Sequence, residues 1–374
     1  MKVFKMKKTI LMVAALVAAV SFGERSLKPG IDAFNASVPA DSTETMMFSP
    51  FSFELDCCMF GEALDPVGRA NVSERLSVMT DFNGAYHPIL DDFDEMALSN
   101  RLFFTSARTI GLYEIGKVNA DFKRRVFDMR FNASISLAWP PRGAERWFRA
   151  KMDGWMEDFV MPTGRLGLSG YSIVDAAVVL ATLLEDADCT ASEGNFRPAK
   201  GDAKKMPFLK FRAKVDFVRN AEKTMVRIPL RGGAFLYLAM PGEKTSLEAL
   251  RRSITGDTIH NITLEPIDPG VKGIGTDVCE ISVPKFDLIT TTDMEKGFAA
   301  LGIQEKDVTY LYPQLVRRSS FQSVRFILDK GEVPDGVKVL PAANMKAVFN
   351  RPFVFFVYYP DKNVIPVIGQ FTGE

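Results

Sequence analysis

The chain has 374 residues, 47% of them hydrophobic and 25% charged, and its 46 basic side chains are balanced by 46 acidic ones. So even a balance presents no field for nucleic acid or an anionic membrane surface, and the short clusters Lys123-Arg-Arg125, Lys204-Lys205 and Arg317-Arg318 read as solvated faces. The length falls near the upper limit of one domain, and no spacer or repeat divides it.

At the N-terminus, Lys2, Lys5, Lys7 and Lys8 precede an apolar run over 10–20, shorter than the about twenty residues a spanning helix needs. Ser21-Phe-Gly23 then supplies small residues for cleavage. Residues 1–23 are therefore expected to be a secretory signal peptide. The rest, 24–374, is expected to be a single domain with no stable membrane span, secreted to the extracellular space, or periplasmic in a bacterium.

Apolar periodicity predicts helices over 27–36, 53–63, 70–79, 117–125, 144–159, 247–253 and 293–300. Strand-like runs fall at 101–105, 176–184, 224–230, 235–239, 279–283 and 324–328. The run 176–184 is apolar except for Thr182, which suits a strand covered on both faces. Two apolar runs, 353–359 and 364–368, close the chain, and Pro360-Asp-Lys-Asn363 between them reads as a hairpin connection. Ahead of this hairpin, 329–347 is polar and broken by proline and glycine. Such a stretch must be a surface loop between two strands, because its polar groups are costly to bury. The order of elements predicts an α+β fold with a large sheet and a second, barrel-like one.

Catalysis finds little support. The two histidines, His87 and His260, have no nucleophile motif or carboxylate array beside them, and the glycines of 232–242 and 270–275 lack the strand, spacing and helix of a phosphate-binding loop. No cofactor or metal is called for. Cys57 and Cys58 fall in an apolar helix, where cysteine packs as a small hydrophobe. A disulfide between Cys189 and Cys279 stays open for an exported protein.

Several motifs, in order along the chain, carry a family resemblance. They are Phe48-Ser-Pro-Phe-Ser52; Leu98-Ser-Asn-Arg-Leu-Phe-Phe104 followed by 122–131; Trp147 with Gly154; Leu236 to Met240 followed by Pro241-Gly-Glu-Lys-Thr-Ser-Leu-Glu-Ala-Leu250; Val283-Pro-Lys-Phe286 with Leu301-Gly-Ile303; and Phe349-Asn-Arg-Pro-Phe-Val-Phe-Phe356. Together they resemble the serpins, over nearly the whole stretch from 30 to 372. The resemblance implies a large mixed β-sheet A, smaller sheets B and C, about eight to nine helices and an exposed reactive-centre loop. It also implies a monomer that inhibits an extracellular serine or cysteine protease. In that family the protease cuts the loop, whose N-terminal half then inserts as a new central strand of the large sheet.

By this resemblance Asp329, Lys330, Gly331 and Glu332 form the loop hinge, and Lys285 is the partner that holds Asp329 at the top of the sheet. Beyond the hinge, inhibitory serpins carry small residues, whereas Glu332-Val-Pro-Asp-Gly-Val-Lys338 stands here. Alternation along a strand would turn Glu332, Pro334, Gly336 and Lys338 inward. An unpaired buried charge costs several kcal/mol, and proline lacks the ladder donor a central strand needs. The loop is also several residues short. Counting from the hinge puts the scissile bond at Met345–Lys346, and counting back from Phe349 puts it at Pro341–Ala342; Lys338 and Lys346 would suit a trypsin-like protease. Ser49 and Ser52 keep the serines of the shutter beneath the sheet's opening region. Their expected partners fall at Ala181 and near Phe321, and the bulky residue topping the neighbouring strand falls near Cys189. Two readings stand: a serpin that does not trap its protease, and a working suicide-substrate inhibitor.

Overall fold

Ser49 starts the helix around which the molecule is built. The computed structural model describes residues 25–78, 81–98, 102–112, 118–128, 131–137, 142–159, 171–184, 188–259, 277–303, 319–330 and 340–373. The expected leader over 1–23 lies outside them. Helix α1 (Lys28–Ser37) and the short strand β1 (Met46–Phe48) lead to α2 (Pro50–Gly61), where the Ser49 side chain accepts the Ser52 N–H and Pro50 supplies a preset φ. Every residue of α2 is buried, Ser52, Glu54 and Asp56 among them. Asp65 caps α3 (Pro66–Leu76) by accepting the Gly68 N–H, and Ser77 ends it with φ 54°. Helix α4 (Phe82–Leu98) is an addition to the sequence reading. Its Pro88 and its acidic run obscure the period, yet Phe82, Tyr86, Ile89, Phe93 and Met96 recur at helical spacing and are all buried.

The remaining elements, in order, are β2 (Leu102–Leu112), α5 (Ala120–Asp128), β3 (Ala133–Leu137), α6 (Arg142–Lys151), β4 (Tyr171–Thr182), β5 (Asp188–Phe196), β6 (Lys204–Arg219), β7 (Lys223–Pro229), β8 (Phe235–Pro241) and α7 (Leu247–Ser253). After them come β9 (Asp277–Pro284), β10 (Asp287–Asp293), α8 (Glu295–Ala300), β11 (Phe321–Asp329), β12 (Met345–Val348), β13 (Phe353–Tyr359) and β14 (Val364–Phe371). Helix α6 ends eight residues before the predicted limit of 159, because Asp153 and Gly154 both take positive φ, 45° and 80°, and turn the chain out of the helix.

Among the described residues, one sheet runs β10-β11-β4-β2-β3 and is mixed, with β11 parallel to β4 and β2 antiparallel to it. The other strands form a nine-stranded network, β1-β14-β13-β8-β7-β6-β9-β12, with β5 also on β6. The long strand β6 joins two smaller sheets into this network: residues 216–219 pair with β7 and 208–215 with β9. The expected α+β fold, one mixed sheet with two smaller ones and helices around them, is present. The terminal hairpin pairs Phe353 with Phe371 and Phe356 with Ile368, and all of β13 and β14 is buried.

Neither Cys189 nor Cys279 is in a disulfide, which corrects the pairing left open above. Cys189 lies on β5 opposite Phe211, and Cys279 lies on β9 opposite Ala213, so all of β6 stands between them. Two strand spacings, about 9.5 Å, exceed the reach of a disulfide.

Phe286, between β9 and β10, ties the two sheets together. Its ring lies 5.1 Å from Phe326 of β11 and 5.0 Å from Phe355 of β13, and the latter two stack at 5.4 Å. Phe355→Ala is expected to lower the unfolding free energy by ~3–5 kcal/mol, read as a shift in urea midpoint at unchanged slope. A loss below about 1 kcal/mol would show that the ring is not a junction of the core.

Candidate functional site: the seam between β4 and β11

The expected loop leaves the sheet at the end of β11, whose residues Phe321 to Asp329 run parallel to Val174 to Thr182 of β4. An added strand entering from Asp329 would have to part this seam and run antiparallel to both neighbours. Asp329 and Lys330 are exposed, and the Asp329 carbonyl accepts the Leu183 N–H at 2.9 Å. Gly331, Glu332, Pro334, Gly336 and Lys338 lie outside the described residues.

Side chains alternate across the seam. Ala177, Val179 and Ala181 of β4, with Val324, Phe326 and Leu328 of β11, face the main core. Val174, Ala176 and Val178 face the other way, against Phe148, Met152 and Met156 of α6 and the turns after it. The cover is fastened across the seam: Arg325 of β11 donates to the Trp155 carbonyl at 2.7 Å, and Trp155 packs on Phe103 of β2.

Beneath the seam lies a buried polar cluster. Ser52 Oγ donates to Asp175 Oδ1 at 2.8 Å, and Gln322 Nε2 donates to Asp175 Oδ2 at 2.9 Å. Gln322 also accepts the Ser49 N–H through Oε1 at 2.6 Å and donates to the Ser49 carbonyl at 3.1 Å, closing a two-way bond between β11 and the start of α2. Arg108 of β2 joins the rest. Its Nε donates to Asp56 at 2.8 Å, Nη1 to the Phe131 carbonyl, and Nη2 to Ser52 at 2.9 Å, Ser106 at 2.8 Å and Asp175 at 3.4 Å. Ser49, Ser52, Asp56, Arg108, Asp175 and Gln322 are all fully buried.

The structure thus brings Ser49 and Ser52 together, but with other partners than the sequence alignment suggested. Their partner on β4 is Asp175, not Ala181, which packs in the core, and on β11 it is Gln322, next to Phe321. Leu183 tops β4 and bridges to Leu230, while Cys189 sits on another strand. Lys285 also needs correcting. It falls opposite Asp329 if the β10–β11 register is extended by two residues, yet no ion pair joins them among the described residues. Both are exposed, and water solvates the two charges as well as the pair would. Asp56, Arg108, Asp175 and Gln322 were missed, though each is a charged or amide side chain inside a largely apolar element.

Two carboxylates share one guanidinium here. Burial pushes the Asp56 carboxyl well above the usual carboxylate range; the Asp175 charge pushes the same way, and Arg108 opposes both. Burial raises Asp175 as well, against Arg108 and the hydrogen bonds from Gln322 and Ser52. Asp56 Oδ2 is buried without a hydrogen-bond partner, as suits a neutral carboxyl better than a carboxylate.

The downstream flank of the loop is also in view. Met345 and Lys346 belong to β12, paired in parallel with Cys279 and Glu280 of β9. Lys346 bonds Glu280 at 2.8 Å, and Arg219 donates to the Lys346 carbonyl at 2.9 Å. Pro341 and Ala342 are exposed, and the Pro341 carbonyl accepts from Arg212 at 3.3 Å. Among the described residues, no group of His, Cys, Asp and Glu side chains could hold a metal ion, and no helix is long and apolar enough to cross a membrane.

A profile of the Serpin (serine protease inhibitor) family matches residues 28–373. The chain belongs to the serpin family, and so to the protease-inhibitor superfamily. Three solved structures share its fold. Native protease nexin-1 with heparin has a TM-score of 0.76 and 15% identity, covering 93% of this chain and 98% of that one. Manduca sexta serpin-12 has a TM-score of 0.73 and 15% identity at the same coverage. Tengpin, a thermophilic serpin in its native state, has a TM-score of 0.69 and 16% identity, covering 93% of each chain. No curated protein matches this sequence.

The shared guanidinium sets a pH dependence. A carboxyl whose folded pKa lies above its unfolded value contributes fully to stability below the unfolded value, about pH 4, and that contribution is lost as pH rises through the folded value. Asp56→Asn removes this loss. The variant is expected to gain stability relative to the parent protein as pH is raised from about 5 to about 8, measured by urea unfolding at each pH. Parallel curves for the two proteins would contradict the raised pKa.

Proposed function

We propose that this protein is an exported serpin that engages an extracellular protease through its loop without trapping it, acting as a reversible inhibitor or a binding module. One observation carries the reading: toward the Asp329 end the core face of the β4–β11 seam is lined by Ala177, Val179, Ala181, Val324, Phe326 and Leu328, while the other face has Val174, Ala176 and Val178 of β4 beside Arg325 of β11. A strand inserted there would alternate, so one face would receive Glu332 and Lys338 and the other Asp335. Whichever way the strand is phased, either Glu332 and Lys338 or Asp335 would meet the apolar core face, at a cost of several kcal/mol for each unpaired ion. Pro334 adds a missing N–H between two neighbours that would both need one.

The seam itself is held by Gln322, which bonds both Asp175 and Ser49, so parting β11 from β4 breaks buried hydrogen bonds before new ones form. In this reading Asp329 to Glu332 serve as a hinge that flexes but does not lead a strand into the sheet. The bait lies upstream of β12. Met345–Lys346 is strand backbone, and a protease would have to peel it from β9 to read it, whereas Pro341–Ala342 is exposed and Lys338 precedes it. The basic run and apolar stretch at 1–23 support export.

The second reading, a suicide-substrate inhibitor, is favoured by the parallel pairing of β4 and β11, which leaves room for one antiparallel strand entering directly from Asp329. Incubation with trypsin-, chymotrypsin-, elastase- and papain-type proteases separates the two. Cleavage upstream of β12 with no complex surviving a denaturing gel is expected, together with little change in Tm on cleavage. Replacing Glu332, Pro334, Asp335 and Lys338 by alanine is expected to let the cut loop insert and raise the cleaved protein's Tm by about 10 °C or more. A covalent complex with the parent protein, or a rise of that size on cutting it, would establish trapping instead.

A further inference from the structure

The outer face of the strands β5-β6-β9-β12 carries a local surplus of positive charge in a chain whose charges otherwise balance. Along β6, Phe211, Ala213 and Val215 turn into the core, so Lys210, Arg212 and Lys214 turn the other way. Alternate residues of a strand lie about 6.6 Å apart, which makes these side chains a row of about 13 Å. Farther along β6, Lys204 and Lys205 are exposed as well, with Glu193 exposed on β5 opposite Pro207.

The pairing register shows which of these cations have an acid beside them. Glu280 of β9 falls opposite Arg212 on one side and opposite Lys346 of β12 on the other, and it bonds Lys346 at 2.8 Å. That bond, with Lys210 and Arg212 close by, holds the Glu280 carboxyl below its usual range. Asp188 of β5 also falls opposite Arg212. Lys210 and Lys214 instead stand opposite Ser282 and Val278, and neither forms an ion pair among the described residues. Both are exposed.

This face adjoins the chain that a protease would read. Arg212, in the middle of the row, donates to the carbonyl of exposed Pro341 at 3.3 Å, and Arg219 donates to the Lys346 carbonyl at 2.9 Å. A cleft that holds a few loop residues accounts for only part of the roughly 800 Å2 that each partner buries in a stable complex. The rim of the enzyme must rest on the surface beside the loop.

We propose, building on the reading that the loop engages an extracellular protease, that Lys210 and Lys214 form a docking surface for an acidic rim beside that protease's cleft. The two lysines lie on either side of the arginine that fixes Pro341, so an acidic rim meets them as the cleft meets the loop. Their attraction acts on the rate of encounter and on the choice between proteases of equal cleft specificity, and salt weakens it.

Anionic and cationic trypsins test this, since they share a specificity for Lys and Arg and differ in surface charge. Each rate constant for loop cleavage, read from the fragment cut upstream of β12, is divided by the same enzyme's rate on an uncharged-flank peptide at the same salt. At about 10 mM NaCl, with a Debye length of about 30 Å, the normalised rate is expected to be at least about fivefold higher for the anionic enzyme. At about 1 M, with a Debye length of about 3 Å, the two are expected to agree within about twofold. This comparison needs no variant. Lys210→Gln with Lys214→Gln is expected to abolish the low-salt preference at unchanged Tm, both positions being exposed. Equal normalised rates, a preference for the cationic enzyme, a preference that survives high salt, or one that the double variant retains would each overturn the proposal. Loss of retention on a heparin column in a double variant that keeps its trypsin preference would assign the lysines to a polyanion instead. Cleavage of the loop by neither enzyme would overturn the proposed function together with this surface, whereas cleavage at equal rates removes the surface alone.

Discussion

Arg108 is the constraint on which the centre of the molecule depends. A guanidinium wholly out of water is tolerable only if its charge is compensated and its donors are used, and here Asp56, Asp175, Ser52, Ser106 and the Phe131 carbonyl meet that demand. Those partners come from α2, β2, β4 and the turn before β3, so one side chain sets the spacing of helix and sheet. Removing a single partner would leave a buried charge exposed to an apolar surround, at a cost of ~3–5 kcal/mol by comparison with other buried pairs. The cluster therefore selects one arrangement of these elements more than it adds to net stability.

Gln322 extends that arrangement to β11. Its amide reads both Asp175 and the backbone of Ser49, so the strand that feeds the loop is latched to the helix beneath the sheet as well as to its neighbour. Ser49 consequently has two duties: its side chain caps α2, and its backbone holds β11. Asp329 sits at the opposite end of β11, where its carbonyl accepts the Leu183 N–H while its side chain and that of Lys285 are both exposed. The seam is thus tied at its Gln322 end by side chains and at its Asp329 end by backbone pairing alone, with an apolar core face between them. The downstream flank is held as well, through Arg212, Arg219 and the Lys346–Glu280 pair.

The positions that were misread show how a periodic signal fails. Asp175 lies six residues before Ala181, and Leu183 six before Cys189. An even slip keeps every side chain on its own face, so alternation along β4 cannot detect it. The predicted strand began at 176, just past the one charged residue that marks the register. The one-residue difference between Phe321 and Gln322 is of the other kind, because an odd step changes faces: Gln322 points to the buried cluster and Phe321 away from it. Helix α4 was hidden for a different reason, an interior proline and an acidic face that diluted a regular buried stripe.

By itself the sequence determined the class of fold, most strand cores, the buried terminal hairpin and the chemistry of the loop, because these rest on local properties: apolar period, turn residues, and the charge and ring structure of Glu332, Pro334 and Lys338. Only the tertiary structure decided which side chains meet beneath the seam, that Cys189 and Cys279 stand two strands apart, and that Lys285 and Asp329 do not pair. Each of these is a contact between residues far apart along the chain, and its existence depends on register and on the competition with water for a buried or exposed charge. Neither is written in the local pattern of residues.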